Sequence, residues 1–172
     1  MVGHSELLLI GGASGVGKSA TAFALHDLLS AQNVQHAVVE GDALDLAYPA
    51  PWRSGIAFRN LSAIWANYRE LGFRRLIFTN TVSVLEARSI ADAMGDQPRI
   101  TAMLLQASSS SIELRLGKRE QGESLVVHLE KSRVAAARLD AKADPSVQRL
   151  DTESLTPHQV ALQISTRLNW GE

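Results

Sequence analysis

The residues of this sequence that are best suited to chemistry lie in a short glycine-rich stretch near the amino terminus, GGASGVGKS. The stretch fits the pattern G-x-x-x-x-G-K-[ST], with an apolar run before it and a helical pattern after it. Glycine permits backbone conformations that a side chain would block, so several N–H groups can converge on one phosphate group. The pattern therefore predicts a loop that binds a nucleoside triphosphate. Its defining residues are Gly12, Gly17, Lys18 and Ser19.

Two side chains at the end of this loop have different predicted roles. Lys18 would bring a positive charge to the β- and γ-phosphates, and the hydroxyl of Ser19 is placed to ligate Mg²⁺. We therefore predict ATP and Mg²⁺ as cofactors. A glycine-rich turn with no ligand is the alternative, which the strand–loop–helix context disfavours. The residues predicted to contact the nucleotide in the loop are Gly12, Ala13, Ser14, Gly15, Val16, Gly17, Lys18, Ser19 and Ala20.

A carboxylate follows the second apolar run of the chain, in the stretch VVEGD. Ligands of open α/β sheets bind beyond the carboxyl ends of the strands, so Asp42 would lie near the phosphate loop if the two strands are close. Asp42 could then accept a proton from an acceptor hydroxyl or hold water on Mg²⁺, and the alternative is a structural residue that caps the next helix. The same alternatives apply to Asp45, and Glu40 is interpreted as a surface residue at the strand end.

The third apolar run, RLIFT, ends without the acidic residue that many phosphate-loop enzymes carry at this point. Asn80 and Thr81 follow Thr79 there instead. Asn80 and Thr81 could bind the acceptor or metal-bound water, or they could close the turn between the strand and the next helix. The sequence leaves both interpretations open.

Basic residues cluster after the fourth apolar run. Arg115 and Arg119 are separated by about one turn of a helix, so their side chains share a face, and Lys118 adjoins them. Phosphoryl transfer spreads negative charge over the phosphate oxygens, and an arginine on a mobile segment can stabilise that charge. We predict a catalytic role for Arg119 and a nucleotide contact for Arg115, with a solvated helix face as the alternative.

The elements that must position these residues alternate between strand and helix patterns. The strand candidates are nearly continuous in apolar residues, as parallel strands covered on both faces require, and the alternation predicts an α/β sandwich with right-handed crossovers. Ser83 could cap the third helix, Gly95 could end it, and Pro157 suits a first helical turn. The predicted strands are Glu6–Ile10, Gln35–Glu40, Arg75–Thr79, Ile100–Gln106 and Ser146–Leu150. The predicted helices are Lys18–Gln32, Arg53–Leu71, Val84–Met94, Ser111–Lys118, Ser124–Ala141 and Pro157–Leu168.

Composition restricts the classes of function. The chain has 172 residues, 45% of them hydrophobic and 20% charged, which suits one globular domain over residues 1–172. The formal net charge of −1 gives no global attraction to nucleic acid, and the absence of cysteine excludes disulfides and thiolate metal sites. The first apolar run is too short for a membrane span or a secretory signal. We therefore expect a cytoplasmic protein with no nucleic-acid or membrane partner, and the oligomeric state stays open.

Several stretches together resemble a known group of enzymes. GASGVGKS, then VEGD, then FRNLSAIWANYRELG look like the small P-loop kinases of the adenylylsulfate kinase, gluconate kinase, shikimate kinase and chloramphenicol phosphotransferase group. RLGKREQG followed by HLEKSR resembles the arginine-bearing lid segment of such enzymes, around residues 115–130. RLDTESLTPHQVALQI resembles their last strand and helix. The resemblance covers nearly the whole chain, and the phosphate loop is its most specific part.

The resemblance implies a fold, a reaction and further site residues. The implied fold is a three-layer P-loop sandwich with five parallel strands in the order 2-3-1-4-5 and a helical lid, all within this chain. The implied reaction transfers the γ-phosphoryl group of ATP to a hydroxyl of a small acceptor, with Asp42 at that hydroxyl and Arg59 holding the acceptor. Asn80 and Arg133 are further predicted acceptor contacts. The alternatives are a nucleotide-dependent switch with slow ATP hydrolysis and a nucleoside or nucleotide kinase, whereas the lack of an N-K-x-D motif disfavours a GTPase.

Overall fold

The strands predicted from the sequence form one parallel sheet in the computed structural model, which describes residues 4–51, 53–118 and 122–170. They are β1 (Glu6–Gly11), β2 (Ala37–Glu40), β3 (Arg75–Thr79), β4 (Arg99–Gln106) and β5 (Gln148–Asp151). The strand order is β2-β3-β1-β4-β5, and every neighbouring pair is parallel. The predicted α/β class and the strand order that the resemblance implies are therefore confirmed.

Helices cover both faces of this sheet. In chain order they are α1 (Lys18–Ala31), α2 (Ile56–Glu70), α3 (Ala87–Met94), α4 (Ser109–Gly117), α5 (Glu123–Lys142) and α6 (Pro157–Leu168). Helix α1 packs beside α6, α2 packs beside α3, and α4 packs beside α5. Among these described helices, none is both long and apolar enough to cross a membrane.

Helix α2 begins later than predicted, whereas two predicted helix ends are confirmed. It starts at Ile56 instead of Arg53, because the left-handed backbone of Gly55 (φ 65°) immediately precedes the first helical residue. Gly95 ends α3 in the same left-handed conformation (φ 75°), which a residue without a side chain adopts at little cost. Pro157 occupies the first turn of α6, where its missing N–H is not needed.

Helix α3 also begins later than predicted. It starts at Ala87 instead of Val84, because residues 83–85 form a separate 3₁₀ turn. The prediction that Ser83 caps this helix is wrong. Its hydroxyl donates instead to the backbone carbonyl of Asn80 (3.2 Å), and so stabilises the turn that follows β3.

The central strand β1 is buried on both faces, which explains its continuous apolar sequence. Leu8 and Ile10 belong to the core between the sheet and the α1–α6 layer. Leu7 and Leu9 belong to the core between the sheet and the α2–α3 layer. Successive side chains of a strand point to opposite faces, so a strand covered on both sides needs an apolar residue at every position.

The sheet brings the predicted site residues to one edge. Strands β3 and β4 lie on either side of β1. The connections from β1 therefore run to one side of the sheet for β2 and β3 and to the other side for β4 and β5, so the carboxyl end of β1 is the point at which the strand order reverses. Residues 12–17 follow β1 at this edge, Asp42 follows β2, and Asn80 follows β3. Crevices at such reversal points are where open α/β sheets bind their ligands.

A buried histidine lies just before β2. His36 is 8% exposed, and the Nδ1–H of its ring donates to the carbonyl of Val34 (2.7 Å). Its Nε2 lies 2.9 Å from Nδ1 of His26. Burial lowers the pKa of His36, and the nearby charges of His26 and Arg75 lower it further, against an opposing effect of the hydrogen bond to Val34. The fold therefore favours the neutral ring.

We expect the protein to lose stability as the pH falls below about 6.5, the ordinary pKa of histidine. Below this pH the ring of His36 binds a proton in the unfolded chain but stays neutral in the folded protein, so the free energy of unfolding falls. The fall ends when the pH passes the lowered pKa of the folded state, because the ring is then protonated in both states. The measurement is the urea midpoint at pH values of about 7.5 and about 5.5, on either side of this histidine range.

The variant His36→Asn should show a smaller difference between the two midpoints, because it removes the titrating ring. The matched control is His158→Asn, since His158 is exposed on α6 and its removal should leave the difference unchanged. A His36→Asn variant with the full pH dependence of the parent would contradict this explanation.

Candidate functional site

The phosphate loop has the backbone that its glycines predict. Gly12, Gly15 and Gly17 all have positive φ angles, of 146°, 82° and 107°. A Cβ atom at Gly12 would lie 2.8 Å from the carbonyl oxygen of Leu105, so a side chain there meets rigid backbone. The N–H groups of Gly12 and Val16 donate within the protein, to the carbonyls of Thr81 (3.1 Å) and Ala13 (3.2 Å). The glycine conformations let the remaining N–H groups of the loop converge on a phosphate group.

Lys18 is the first residue of α1, and its side chain lies over this loop. Its Nζ donates to the carbonyl of Ala13 (3.3 Å). Burial lowers the pKa of Lys18, while the negative charges of Asp42 and Glu40 raise it. The exposed hydroxyl of Ser19 follows in the first turn of the helix. The amino end of α1 and the Lys18 ammonium thus provide a positive site for phosphate.

Glu40 is a site residue that the sequence analysis missed. It is the last residue of β2, and one of its carboxylate oxygens is buried with no hydrogen-bond partner. Glu40 is therefore half-buried rather than a fully exposed surface residue, and its negative charge raises the pKa of Lys18. No local pattern signals this, because β2 ends at Glu40 and Asp42 already lies in the 3₁₀ turn of residues 41–43.

Asp42 is held by Asn80 from the neighbouring strand end. Nδ2 of Asn80 donates to Oδ1 of Asp42 (2.8 Å), while Oδ1 of Asn80 accepts from the backbone N–H of Val82 (2.9 Å). Asn80 therefore closes the turn after β3, as one interpretation predicted, and at the same time orients the Asp42 carboxylate. Asp42 itself stays exposed, which leaves it accessible to a ligand.

The donors at this edge fit a magnesium ion that binds together with a nucleotide. In residues 4–51, 53–118 and 122–170, no group of three or more His, Asp or Glu side chains could hold a metal ion by itself. Mg²⁺ commonly takes one or two protein ligands together with substrate phosphates and water. The unpartnered carboxylate oxygen of Glu40 and the exposed hydroxyl of Ser19 are suitable ligands, because both are hard oxygen donors.

A cleft of about 220 Å³ adjoins the phosphate loop on the α6 side. Its wall includes Val16, Thr152 and Arg115. The guanidinium of Arg115 donates to the backbone carbonyls of Val16 (3.0 Å) and Thr152 (2.8 Å). Arg115 is therefore half-buried and fixed rather than part of a solvated helix face. Its predicted contact with the nucleotide stays a prediction, and its position beside the loop is compatible with it.

Helices α4 and α5 pack directly on the phosphate loop. A Cβ atom at Gly15 would lie 2.8 Å from Cγ of Leu116 in α4. The hydroxyl of Ser132 in α5 donates to the carbonyl of Ser14 (2.8 Å). The predicted catalytic residue Arg119 lies outside the described residues, so its role stays a prediction.

A second cavity, of about 260 Å³, is lined by Gly41, the neighbour of Asp42, and is called the acceptor cavity below. It is bounded by the segment after β2, the start of α2 and the turn after β3, and Asn80 forms part of its wall. Phe58 and Phe78 also line it, and neither was predicted as a site residue. The cleft therefore adjoins the phosphate loop, whereas the acceptor cavity adjoins the segment that carries Asp42.

Two predicted acceptor contacts are not brought to the acceptor cavity. Arg59 is exposed on α2 and is absent from the cavity wall, whereas its neighbour Asn60 points inward and donates to the carbonyl of Leu44 (2.6 Å). Arg133 is exposed on α5, where it forms a surface ion pair with Glu130 (2.9 Å). Both acceptor roles therefore stay predictions that the present side-chain positions do not support.

Comparisons with known proteins agree with this architecture. Comparison with protein-family models and with curated protein sequences found no match. The structure is similar to the tunicamycin resistance protein of Deinococcus radiodurans, with a TM-score of 0.67 and 22% identity over 96% of each chain. It is similar to the APS kinase of Mycobacterium tuberculosis in complex with AMPPNP and APS (TM-score 0.60, 16% identity, 96% and 98% coverage). It is also similar to the shikimate kinase of Acinetobacter baumannii in complex with shikimate (TM-score 0.59, 16% identity, 96% and 93% coverage).

These likenesses establish the class of the fold. The chain has the α/β fold of the small P-loop kinases, and it is matched over nearly the whole length of each of these structures. The resemblance drawn from the sequence is confirmed at the level of the fold.

Proposed function

We propose that this protein is an ATP-dependent kinase that transfers the γ-phosphoryl group of ATP to a hydroxyl of a small metabolite or antibiotic. The observation that carries the proposal is the placement of Asp42. This carboxylate is oriented by Asn80 and acts on Lys18 of the phosphate loop, while Asn80 lines the separate acceptor cavity. A carboxylate near both the phosphate loop and an acceptor cavity suits a phosphotransferase, because the acceptor hydroxyl must lose a proton when it attacks.

The residues of the phosphate loop would bind and orient the nucleotide. Backbone N–H groups of residues 13–15 and 17 and the amino end of α1 would hold the phosphates, and Lys18 would contact the β- and γ-phosphates. Ser19 and Glu40 would hold Mg²⁺, which neutralises phosphate charge when it is bound. The nucleotide base is assigned to the cleft beside Val16 and Arg115, since that cleft adjoins the loop.

Asp42 would serve the acceptor in this scheme. It would accept the proton of the attacking hydroxyl while the bond between the γ-phosphorus and the bridging oxygen of ADP breaks and a new phosphorus–oxygen bond forms. Asn80 would keep the carboxylate in place through its 2.8 Å hydrogen bond. Arg119 is proposed to stabilise the charge on the transferring group, and Arg59 and Arg133 are proposed to contact parts of the acceptor outside the cavity.

The tunicamycin resistance protein, the APS kinase and the shikimate kinase support a small-molecule acceptor by analogy of fold. A nucleotide-dependent switch is the alternative from another class. A switch requires the phosphate loop to bind its nucleotide, but it does not require a cavity for a second substrate near Asp42. A nucleoside or nucleotide kinase differs from the proposal only in the acceptor.

The test is ADP formation from ATP and Mg²⁺ against hydroxylated metabolites, aminoglycosides, chloramphenicol-like compounds and nucleosides. We expect at least one compound to raise the rate of ADP formation about tenfold or more above the rate of hydrolysis without acceptor. This increase is small compared with the total rate acceleration that enzymes provide. Mass spectrometry should detect the same compound carrying one additional phosphoryl group. Equal ADP formation with and without every compound would favour the switch.

A further inference from the structure

The wall of the acceptor cavity is mainly apolar. Leu61 and Ile90 contribute buried side chains, and the rings of Phe58 and Phe78 face the same space. A polyol would leave hydroxyl groups without hydrogen-bond partners against such a wall, at a cost in free energy. The lining therefore suits an acceptor that carries an apolar face next to its reactive hydroxyl.

The ionisable residues in the wall of this cavity are acidic. Asp45 and Glu86 line it, and neither side chain has a hydrogen bond or ion pair in the part of the chain that the structure describes. Asp42 and Glu40 flank Gly41, which also belongs to the wall. A carboxylate or phosphate on the acceptor would meet the two acidic side chains of the wall, Asp45 and Glu86, and like charges at short range repel strongly where water is partly excluded.

No basic residue among those described offsets these charges within the cavity wall. Lys18 lies with the phosphate loop, where the proposed function assigns it to the phosphates of ATP. Arg59 is exposed and lies outside the lining, and Arg53 lines a different and more open surface depression with Pro51 and Ser54. An anionic group in the cavity would thus have no cation to pair with.

Apolar surface continues beyond the cavity along the loop between β2 and α2. Leu44 and Gly55 of this loop line the cavity. Leu46 and Tyr48 on the same loop are 84% and 100% exposed. Large apolar side chains exposed on a loop that also lines a cavity suit a binding surface. An acceptor longer than the cavity could therefore keep apolar contact outside it.

From these features we infer that the acceptor is an amphipathic alcohol without an anionic group, and that a basic nitrogen on it is favoured by Asp45 and Glu86. The inference rests on the proposed function and narrows it. Carboxylate and phosphate compounds of similar size are excluded as good acceptors, because the cavity wall carries acidic groups and no basic one.

The test compares compounds that differ mainly in charge. Methyl 4-(hydroxymethyl)benzoate, 4-(hydroxymethyl)benzylamine and 4-(hydroxymethyl)benzoate form the neutral, cationic and anionic members of one set, and all three keep the same free hydroxyl. Binding is measured by calorimetry with AMPPNP and Mg²⁺ present. We expect the dissociation constants of the neutral and cationic members to be lower than that of the anionic member by a factor of about ten or more. A single unfavourable charge contact has an effect of about this size.

A charge variant shows whether the cavity causes this preference. The double variant Asp45→Asn/Glu86→Gln should reduce the difference between cationic and anionic members several-fold. The matched control is Asp27→Asn/Asp92→Asn, which changes the net charge equally at exposed positions outside the cavity and should leave the difference unchanged.

Some outcomes would overturn the inference. They are equal or tighter binding of the anionic member, no binding by any neutral or cationic member, and a preference that the cavity variant leaves intact. These titrations, together with the assay of ADP formation from ATP, distinguish failure of the charge inference from failure of the proposed function. Loss of AMPPNP binding would contradict the proposed function itself. AMPPNP binding together with acceptor-dependent ADP formation from an anionic compound would overturn only the charge inference.

Discussion

The variant Asp42→Asn is expected to lower acceptor-dependent phosphoryl transfer by about 10²- to 10⁴-fold, the usual contribution of a positioned general base. Asparagine keeps the size of the side chain and can still bond to Asn80, so the fold and the turn after β3 should be preserved. Binding of AMPPNP should stay nearly unchanged, because the phosphate loop supplies that affinity. Removal of a negative charge near the triphosphate could even tighten it slightly. The measurements are single-turnover transfer and AMPPNP affinity.

The matched control for this prediction is Glu40→Gln, which removes the same charge two residues earlier on the chain. If Glu40 serves Mg²⁺, this variant should need more Mg²⁺ for half-maximal rate and should recover much of its activity when Mg²⁺ is raised. Asp42→Asn should not recover in this way. If raised Mg²⁺ restores the activity of Asp42→Asn, Asp42 serves the metal ion and is not the general base. If Asp42→Asn transfers phosphate at the full rate at ordinary Mg²⁺, Asp42 has neither role.

The variant Lys18→Ala is expected to lose about 10²-fold or more of the rate of ADP formation, with or without an acceptor, because one preorganised charge at the γ-phosphate is lost. The fold should be retained or slightly stabilised. Burial lowers the pKa of Lys18, which means that the folded protein holds this charge at a cost. The measurements are the ADP-formation rate, the affinity for AMPPNP and the urea midpoint.

The matched control is Lys142→Ala, which removes an exposed lysine near the end of α5. It should leave ADP formation and AMPPNP affinity unchanged. A folded Lys18→Ala variant that works at the parent rate would contradict nucleotide binding at this loop, and with it the whole of the proposed function. Loss of both activity and folding in Lys18→Ala would instead show that Lys18 is structural.

The sequence by itself determined the features that depend on short stretches of chain. The glycines of the phosphate loop reveal its backbone because their positive φ angles are a local requirement. The continuous apolar run of β1 reveals a strand covered on both sides because side chains alternate along an extended chain. The strand order followed from the resemblance to small P-loop kinases, since no local pattern encodes which strands are neighbours.

Only the tertiary structure decided which side chains share the site. Asn80 and Asp42 are 38 positions apart in the chain, and their hydrogen bond exists because β2 and β3 pair in parallel. Arg115 was predicted on a mobile basic face, yet it is fixed to Val16, 99 positions away. On α2, Phe58 lines the acceptor cavity while Trp65 is in the core, although both lie on one helical stripe.

The physical reason is the same in each case. Periodicity specifies which face of an element is apolar, but it does not specify whether that face meets another element or an open space. Glu40 shows this most clearly, because a carboxylate at a strand end is at the surface unless neighbouring strands and loops enclose it. Its enclosure beside Lys18 depends on contacts between segments distant in the chain, and those contacts form only when the whole sheet assembles.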